Sequence, residues 1–357
     1  MTALLEVRAG DYAYRHIQKN GLHADDISYV FGASGAAKWL AIYGLDRAIF
    51  SRWLNHATKP IELFGTSVGA FKLAAACHGE PAAALERLAN AYVDQNYTDK
   101  DFSADRINVE TLKILETVAN VNGRNEILEH PILRFHCGAV RTQGSLAKNK
   151  SFRQKLALGK IFIDVFGGRK HYGKKMQRIV FHHPESKKVF SGADGIITHQ
   201  TVLNKDNLQD ALLASGSIPN LMHGVNDISG APSGLYFDGG VLDYHPLPSY
   251  LGADKGLTLY PHFYPHLIPG WFDKHFKSRY ATSKQLDKVI MLSPSALMIE
   301  QLAGGKIPDR KDFVTLQNNN QKRKDQWHQC MDLSLALGEE FLEMIQSGNI
   351  VEKLQRL

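Results

Sequence analysis

Cysteine is scarce: Cys77, Cys137 and Cys330 are the only three in 357 residues. They are too few and too scattered for a disulfide framework, and no CxxC pair or Cys/His cluster stands at zinc spacing. His262-x-x-x-His266 has one-turn spacing, but Pro261 and Pro265 argue against a helix there. No metal or cofactor is therefore expected. Long apolar runs are missing too: nothing approaches the ~18 residues of a membrane span. The opening MTALLEVRAGDY lacks the apolar core of a signal peptide. These absences point to a soluble, cytoplasmic protein that would meet a membrane only peripherally. No internal repeat, low-complexity tract or convincing linker divides residues 1–357. One domain is expected, with a motif core over about 25–295 and a helical segment over about 320–357.

What is present is ordinary in amount and uneven in place. Hydrophobic residues at 44% and charged residues at 22% are those of a globular protein with a sizeable core. Between Lys148 and Lys188 stand twelve Lys or Arg against Asp164 and Glu185, a net of +10 in a chain whose total is +6. Such a window would attract an anionic membrane surface or a nucleic acid, or would simply be a solvated face. No nucleic-acid module accompanies it, so no nucleic-acid partner is expected.

Short apolar runs at Ile27–Phe31 and Ile61–Phe64 each stop at a glycine turn and lead into a helical pattern, over Ala36–Leu54 and over AFKLAAACHG. Pro81 opens a further helix. Later strands are expected at Leu133–Val140, Arg178–His182, Leu235–Phe237, Leu257–Tyr260 and Val289–Leu292, with helices at Asn207–Ala214 and Trp327–Gln346. Strand, tight turn, helix, repeated, is the pattern of an α/β sheet with loops gathered at one edge.

Three of those turns carry chemistry. Gly65-Thr66-Ser67-Val68-Gly69 is G-x-S-x-G between a strand and a helix. A sharp turn there exposes a serine hydroxyl, and the helix start favours negative charge beside it. Gly32-Ala33-Ser34-Gly35-Ala36-Ala37-Lys38 fits neither a P-loop nor a dinucleotide fingerprint. Its small residues would let amides face an anion, and beside Ser67 that anion would be a tetrahedral oxygen. Phe237-Asp238-Gly239-Gly240 sets an acid at the end of a third strand. Asp before Gly-Gly is also common turn chemistry.

In order and spacing these turns resemble the patatin-like phospholipase family. The resemblance runs from Gly32 to Pro246 and includes Ala214-Ser215-Gly216-Ser217-Ile218-Pro219, similar to the A-S-x-x-x-P segment ahead of that family's aspartate. It implies a three-layer α/β/α fold with a mainly parallel central sheet. It also implies Ser67 as nucleophile, Asp238 as base, and hydrolysis of lipid acyl esters. Ser34, Gly35, Ala36 and Lys38 would then supply the oxyanion hole. The chain departs from the pattern at Trp39, where the family has glycine, and at Tyr244-His245-Pro246, where it often has N-x-P.

His245 keeps a second arrangement open, a Ser67–Asp238–His245 triad in the chain order of α/β-hydrolases. A third is a catalytically silent member of the fold that senses a lipid or a partner. The stretch Tyr260–Tyr280 interleaves aromatic and basic residues and would serve as a lid or membrane-docking loop, or pack as an irregular segment. The oligomeric state has no signature in the sequence.

Overall fold

The computed structural model describes residues 3–97, 102–142, 168–186, 190–253 and 255–357. Five adjacent strands form the parallel centre of one sheet: β2 (Ile27–Gly32), β3 (Ile61–Gly65), β4 (Leu133–Thr142), β9 (Leu257–Pro261) and β10 (Val289–Pro294), in the order β10-β9-β2-β3-β4. β2, β3, β9 and β10 are short, largely apolar runs buried on both faces, as parallel strands between helical layers must be. Helices flank this mostly parallel sheet in the three-layer α/β/α arrangement. All seven strands expected from the sequence are present, with ends displaced by at most two residues.

Among the described residues, four strands escaped the sequence reading. β1 (Leu5–Ala9) runs antiparallel to β10 and takes β11 (Leu354–Arg356) on its other side, so the two chain ends share one sheet edge. β6 (Thr198–Val202) lies parallel to β5 (Met176–His182), and β7 (Val225–Asn226) caps β8 (Leu235–Asp238). These strands are short, and most expose alternate residues, so they offer only a few apolar positions to a pattern search.

The segment expected as one helix over Ala36–Leu54 is helical but not continuous. It passes from a 3-10 turn (Ala36–Ile42) through an α-turn (Tyr43–Ala48) to a π-turn (Ile49–Trp53). It lies under the long helix Asn320–Ser347. A Cβ at Gly44 would sit 2.3 Å from the Ser334 carbonyl, and the Gly44 amide donates to Ser334 Oγ at 2.9 Å. Backbone-to-backbone packing of this closeness sets the path more strongly than local helix geometry does.

Candidate active site

β4 is longer than β3, and the difference creates the site. β3 ends with Gly65 opposite Cys137. Beyond that point the same edge of β4 is taken by β8, which runs the other way and ends with Asp238 opposite Ala139. The two strands therefore meet head to head across Gly138, two positions or about 7 Å apart along β4. One delivers Ser67 and the other Asp238 to a single point. Gly138 must be small there: a Cβ on it would lie 2.9 Å from the Phe64 ring and 3.0 Å from the Thr66 methyl.

Ser67 takes φ 53° and ψ −133°, a left-handed turn that side chains rarely adopt. The turn closes only because glycines flank it. A Cβ at Gly69 would meet the Gly32 carbonyl oxygen at 2.3 Å, and one at Gly65 would meet the Gly69 carbonyl carbon at 2.5 Å. Among Ile61–His78, Ser67 alone is not buried. The strain thus presents one hydroxyl to the outside from an otherwise closed strand–turn–helix. Its amide is held by both the carbonyl and the hydroxyl of Ser215, each at 3.0 Å, while Ser215 Oγ donates to Gly138 O at 2.7 Å.

Asp238 is buried, and the Ser67 hydroxyl lies close enough to its carboxylate to favour the ionised form. Desolvation is the largest influence on it and pushes its pKa up from 3.8 to about 6. The Gly240 amide (2.6 Å), the Ser67 hydroxyl and the charges of Arg310 and Lys274 pull the other way without cancelling that rise. Gly239 and Gly240 are needed for close approach: a Cβ would meet the Gly138 carbonyl at 2.2 Å in the first case and Ser34 Oγ at 2.3 Å in the second. The Asp238 amide donates to Ser217 O at 2.8 Å. Ser215 and Ser217 of the Ala214–Pro219 segment therefore hold the backbones of both Ser67 and Asp238.

The first glycine loop divides its amides. That of Ser34 is taken by the Tyr244 carbonyl (2.8 Å) and that of Lys38 by Gly35 O (3.2 Å). Neither is available to an oxyanion, contrary to the sequence expectation. The amides of Gly35 and Ala36 meet no acceptor among the described residues, nor does that of Val68 at the start of the helix that follows Ser67. Val68 heads the helix whose first amides the sequence reading expected to face an oxyanion. The Ser34 hydroxyl is buried against Thr66 Oγ1 at 2.8 Å and so supports the turn from below.

Trp39, the departure from the family pattern, is buried and donates its indole N–H to Asp46 at 2.8 Å. Asp46 also pairs with Lys72 of the helix that follows Ser67 at 2.9 Å. The indole thus ties the first loop to the helix behind Ser67. Lys38 points elsewhere, into an ion pair with Asp309.

His245 is not joined to either residue of the pair. Its Nδ1 accepts the Ile268 amide at 2.9 Å, and its ring packs 4.2 Å from that of His262. Burial drives its pKa well below the ordinary value, with the neighbouring His262 acting in the same sense. No group of His, Cys, Asp or Glu among the described residues is placed to hold a metal ion.

Much of the basic window, residues 143–167 and 187–189, lies outside the described residues. Of the rest, Arg178 is no surface cation. It is 1% exposed and forks onto Asp243 (2.7 and 2.9 Å) and Asp194 (2.7 and 3.0 Å). Within Tyr260–Tyr280, Tyr260, His262, Phe263, Leu267, Ile268 and Phe272 are buried, whereas Trp271 is exposed. Most of the stretch is packed structure. No helix among the described residues is long and apolar enough to cross a membrane.

Comparison with curated protein sequences finds no match. Among solved structures, VipD from Legionella pneumophila aligns over 92% of this chain and 70% of its own, at 14% identity and a TM-score of 0.34. Human GIVD cytosolic phospholipase A2 aligns over 96% of this chain at 10% identity and a TM-score of 0.36, and the alignment spans 63% of that protein. The family description "Patatin-like phospholipase" matches residues 32–250, more than half of the chain and every turn described above. The chain belongs to the patatin-like phospholipase family.

Proposed function

We propose that the chain hydrolyses lipid acyl esters through a Ser67–Asp238 pair and an acyl-enzyme. The observation that carries this reading is the meeting of a strained, half-buried serine with a buried carboxylate on which its hydroxyl acts and whose pKa is raised to about 6. An unperturbed aspartate is too weak a base for a serine hydroxyl; a raised one is better matched to the task near neutrality.

As Ser67 Oγ attacks the ester carbonyl, Asp238 takes the hydroxyl proton. The oxygen of the tetrahedral intermediate becomes anionic and is met by the free amides of Gly35, Ala36 and Val68, each such donor being worth roughly 2.7–4 kcal/mol. Collapse breaks the bond to the alcohol, which leaves with the proton from Asp238. Water then attacks the acyl-enzyme with Asp238 again as base, releasing the fatty acid and restoring the Ser67 hydroxyl.

The test is p-nitrophenyl ester hydrolysis by the wild type, Ser67→Ala, Asp238→Asn and His245→Ala, with fluorophosphonate labelling of Ser67 alongside. The first two changes should abolish turnover and the third should largely spare it. Loss in His245→Ala at intact fold would favour the triad. A wild type that neither turns over ester nor takes the label would leave the silent reading standing.

A further inference from the structure

The three amides assigned to the oxyanion come from two separate pieces of chain. Gly35 and Ala36 lie in the first glycine loop, and Val68 heads the helix Val68–Ala76. Their spacing is only as good as the connection between the two pieces. On the near side of the donors, Gly32 abuts Gly69 through backbone, and Ser34 Oγ meets Thr66 Oγ1 at 2.8 Å. On the far side the connection is a chain of side-chain hydrogen bonds. Trp39 Nε1 donates to Asp46 Oδ2 at 2.8 Å, and Lys72 Nζ donates to both oxygens of Asp46 at 2.9 Å. Trp39 follows Ala36 by three residues in one 3-10 turn, and Lys72 follows Val68 by four in one helix.

Two features say that this tie does more than fill the core. All three side chains are buried, and the Asp46 carboxylate meets no other donor among the described residues. An apolar trio of the same volume would hold a core as well or better, because desolvating two charges offsets their attraction. What the ionic chain supplies is direction, since its bonds fix angles as well as distances. The second feature is Ala36, which takes φ 52°, the left-handed region that a side chain disfavours. Strain of that kind persists only where the neighbouring structure holds it. The Ala36 amide is one of the three donors, and the Trp39 anchor lies one turn beyond it. The tie starts where the family pattern has glycine, so it is no part of that pattern.

We propose that Trp39, Asp46 and Lys72 are positioning residues for the oxyanion hole, holding the Gly35 and Ala36 amides in working register with that of Val68. This rests on the acyl-hydrolase reading and deepens it. None of the three touches substrate; they act through the backbone donors at either end of the tie.

Two variants cut the tie at different links. Trp39→Phe keeps a ring in the core and removes the indole N–H. Asp46→Asn combined with Lys72→Met releases the helix without stranding a lone buried charge. Each is assayed for kcat and KM on p-nitrophenyl butyrate, and for the Ki of a trifluoromethyl ketone of the same chain length. Ser67 Oγ adds to the ketone carbon while its proton passes to Asp238, and the carbonyl oxygen becomes the anion that the amides meet. In both variants kcat should fall about tenfold to a hundredfold and KM should stay within about twofold, while Ki rises by the factor that kcat/KM loses. A smaller folded fraction lowers the apparent kcat but leaves Ki where it was. A fall in kcat at unchanged Ki would therefore overturn the positioning role and leave the tie as a support of the fold. Full activity in either folded variant, or a rise in KM alone, would overturn it as well. A wild type that neither cleaves the ester nor binds the ketone would overturn the hydrolase reading itself, and this inference with it.

Discussion

The Ser67 hydroxyl lies beside the carboxylate of Asp238 and favours its ionised form, and the amides of the same two residues are tied to Ser215 and Ser217, two positions apart on one turn. Side chains and backbones are thus paired independently. In the proposed mechanism Asp238 must be ionised to accept the serine proton, so its raised pKa would set the acid limb of the reaction. Ester hydrolysis should fall about tenfold per pH unit below pH about 6 and level off above it. A pH profile of kcat/KM on a p-nitrophenyl ester checks this, and an acid limb near pH 4 would assign the base to another carboxylate.

The same burial makes Asp238 a cost to the fold. Its pKa is higher in the native state than in the unfolded chain, so the native state binds the proton more tightly between pH 3.8 and about 6. Stability contributed by the neutral form is present at low pH and is lost as pH rises through about 6. Near pH 8 the loss is of order 3 kcal/mol. Asp238→Asn should therefore melt at a higher temperature than the wild type at pH 8 and at a similar temperature near pH 4, while lacking activity. Thermal unfolding at the two pH values decides it; equal melting at both would mean that the carboxylate is solvated.

Ser215 offers a way to separate positioning from chemistry. Its hydroxyl bridges the Ser67 amide and the Gly138 carbonyl, but touches neither the nucleophilic oxygen nor Asp238 Oδ1, which is bonded to Gly240. Ser215→Ala keeps the main-chain bond to Ser67 and loses the bridge. It should cost about 1–3 kcal/mol of stability by leaving a buried carbonyl unpaired. It should also lower kcat by about tenfold to a hundredfold with little change in KM, as a loosened nucleophile does. Kinetics on a small ester together with urea unfolding would show both effects. A rise in KM at constant kcat would point to the acyl pocket instead.

The sequence made the centre of this site readable and left its surroundings obscure. Gly65, Ser67, Gly69, Asp238, Gly239 and Gly240 could be found because each turn demands particular residue types at fixed spacing, and the strands before them are continuous apolar runs. The meeting of β3 and β8 across Gly138 depends on β4 outlasting β3, a difference in strand length that no local pattern encodes. The fates of the Ser34 and Lys38 amides depend on Tyr244 and Gly35, and a run of small residues says nothing about which N–H groups are already taken. Arg178 looked like one more member of a basic face, because charge density along the chain carries no information on burial. Its acidic partners lie 16 and 65 positions away.

Arg178 yields the last prediction. Its guanidinium is buried between Asp194 and Asp243, and the Asp243 carbonyl accepts the Thr66 hydroxyl at 2.7 Å, one residue before Ser67. Arg178→Met would leave two buried carboxylates dependent on Arg169, a change that typically costs about 3–5 kcal/mol. The pH dependence follows from Asp194. Burial alone would raise its pKa, but its bonds to Arg178, then the charges of Arg178 and Arg169, outweigh this and hold it at about 2. A carboxylate so depressed contributes stability above its unfolded value of 3.8 and loses it as pH falls toward 2. Urea midpoints of wild type and Arg178→Met should therefore differ widely at pH 7 and draw together between about pH 4 and 2. Arg178→Lys retains the charge without the fork and should fall between them. A gap that stays constant across that range would attribute the loss to packing rather than to the ion pairs.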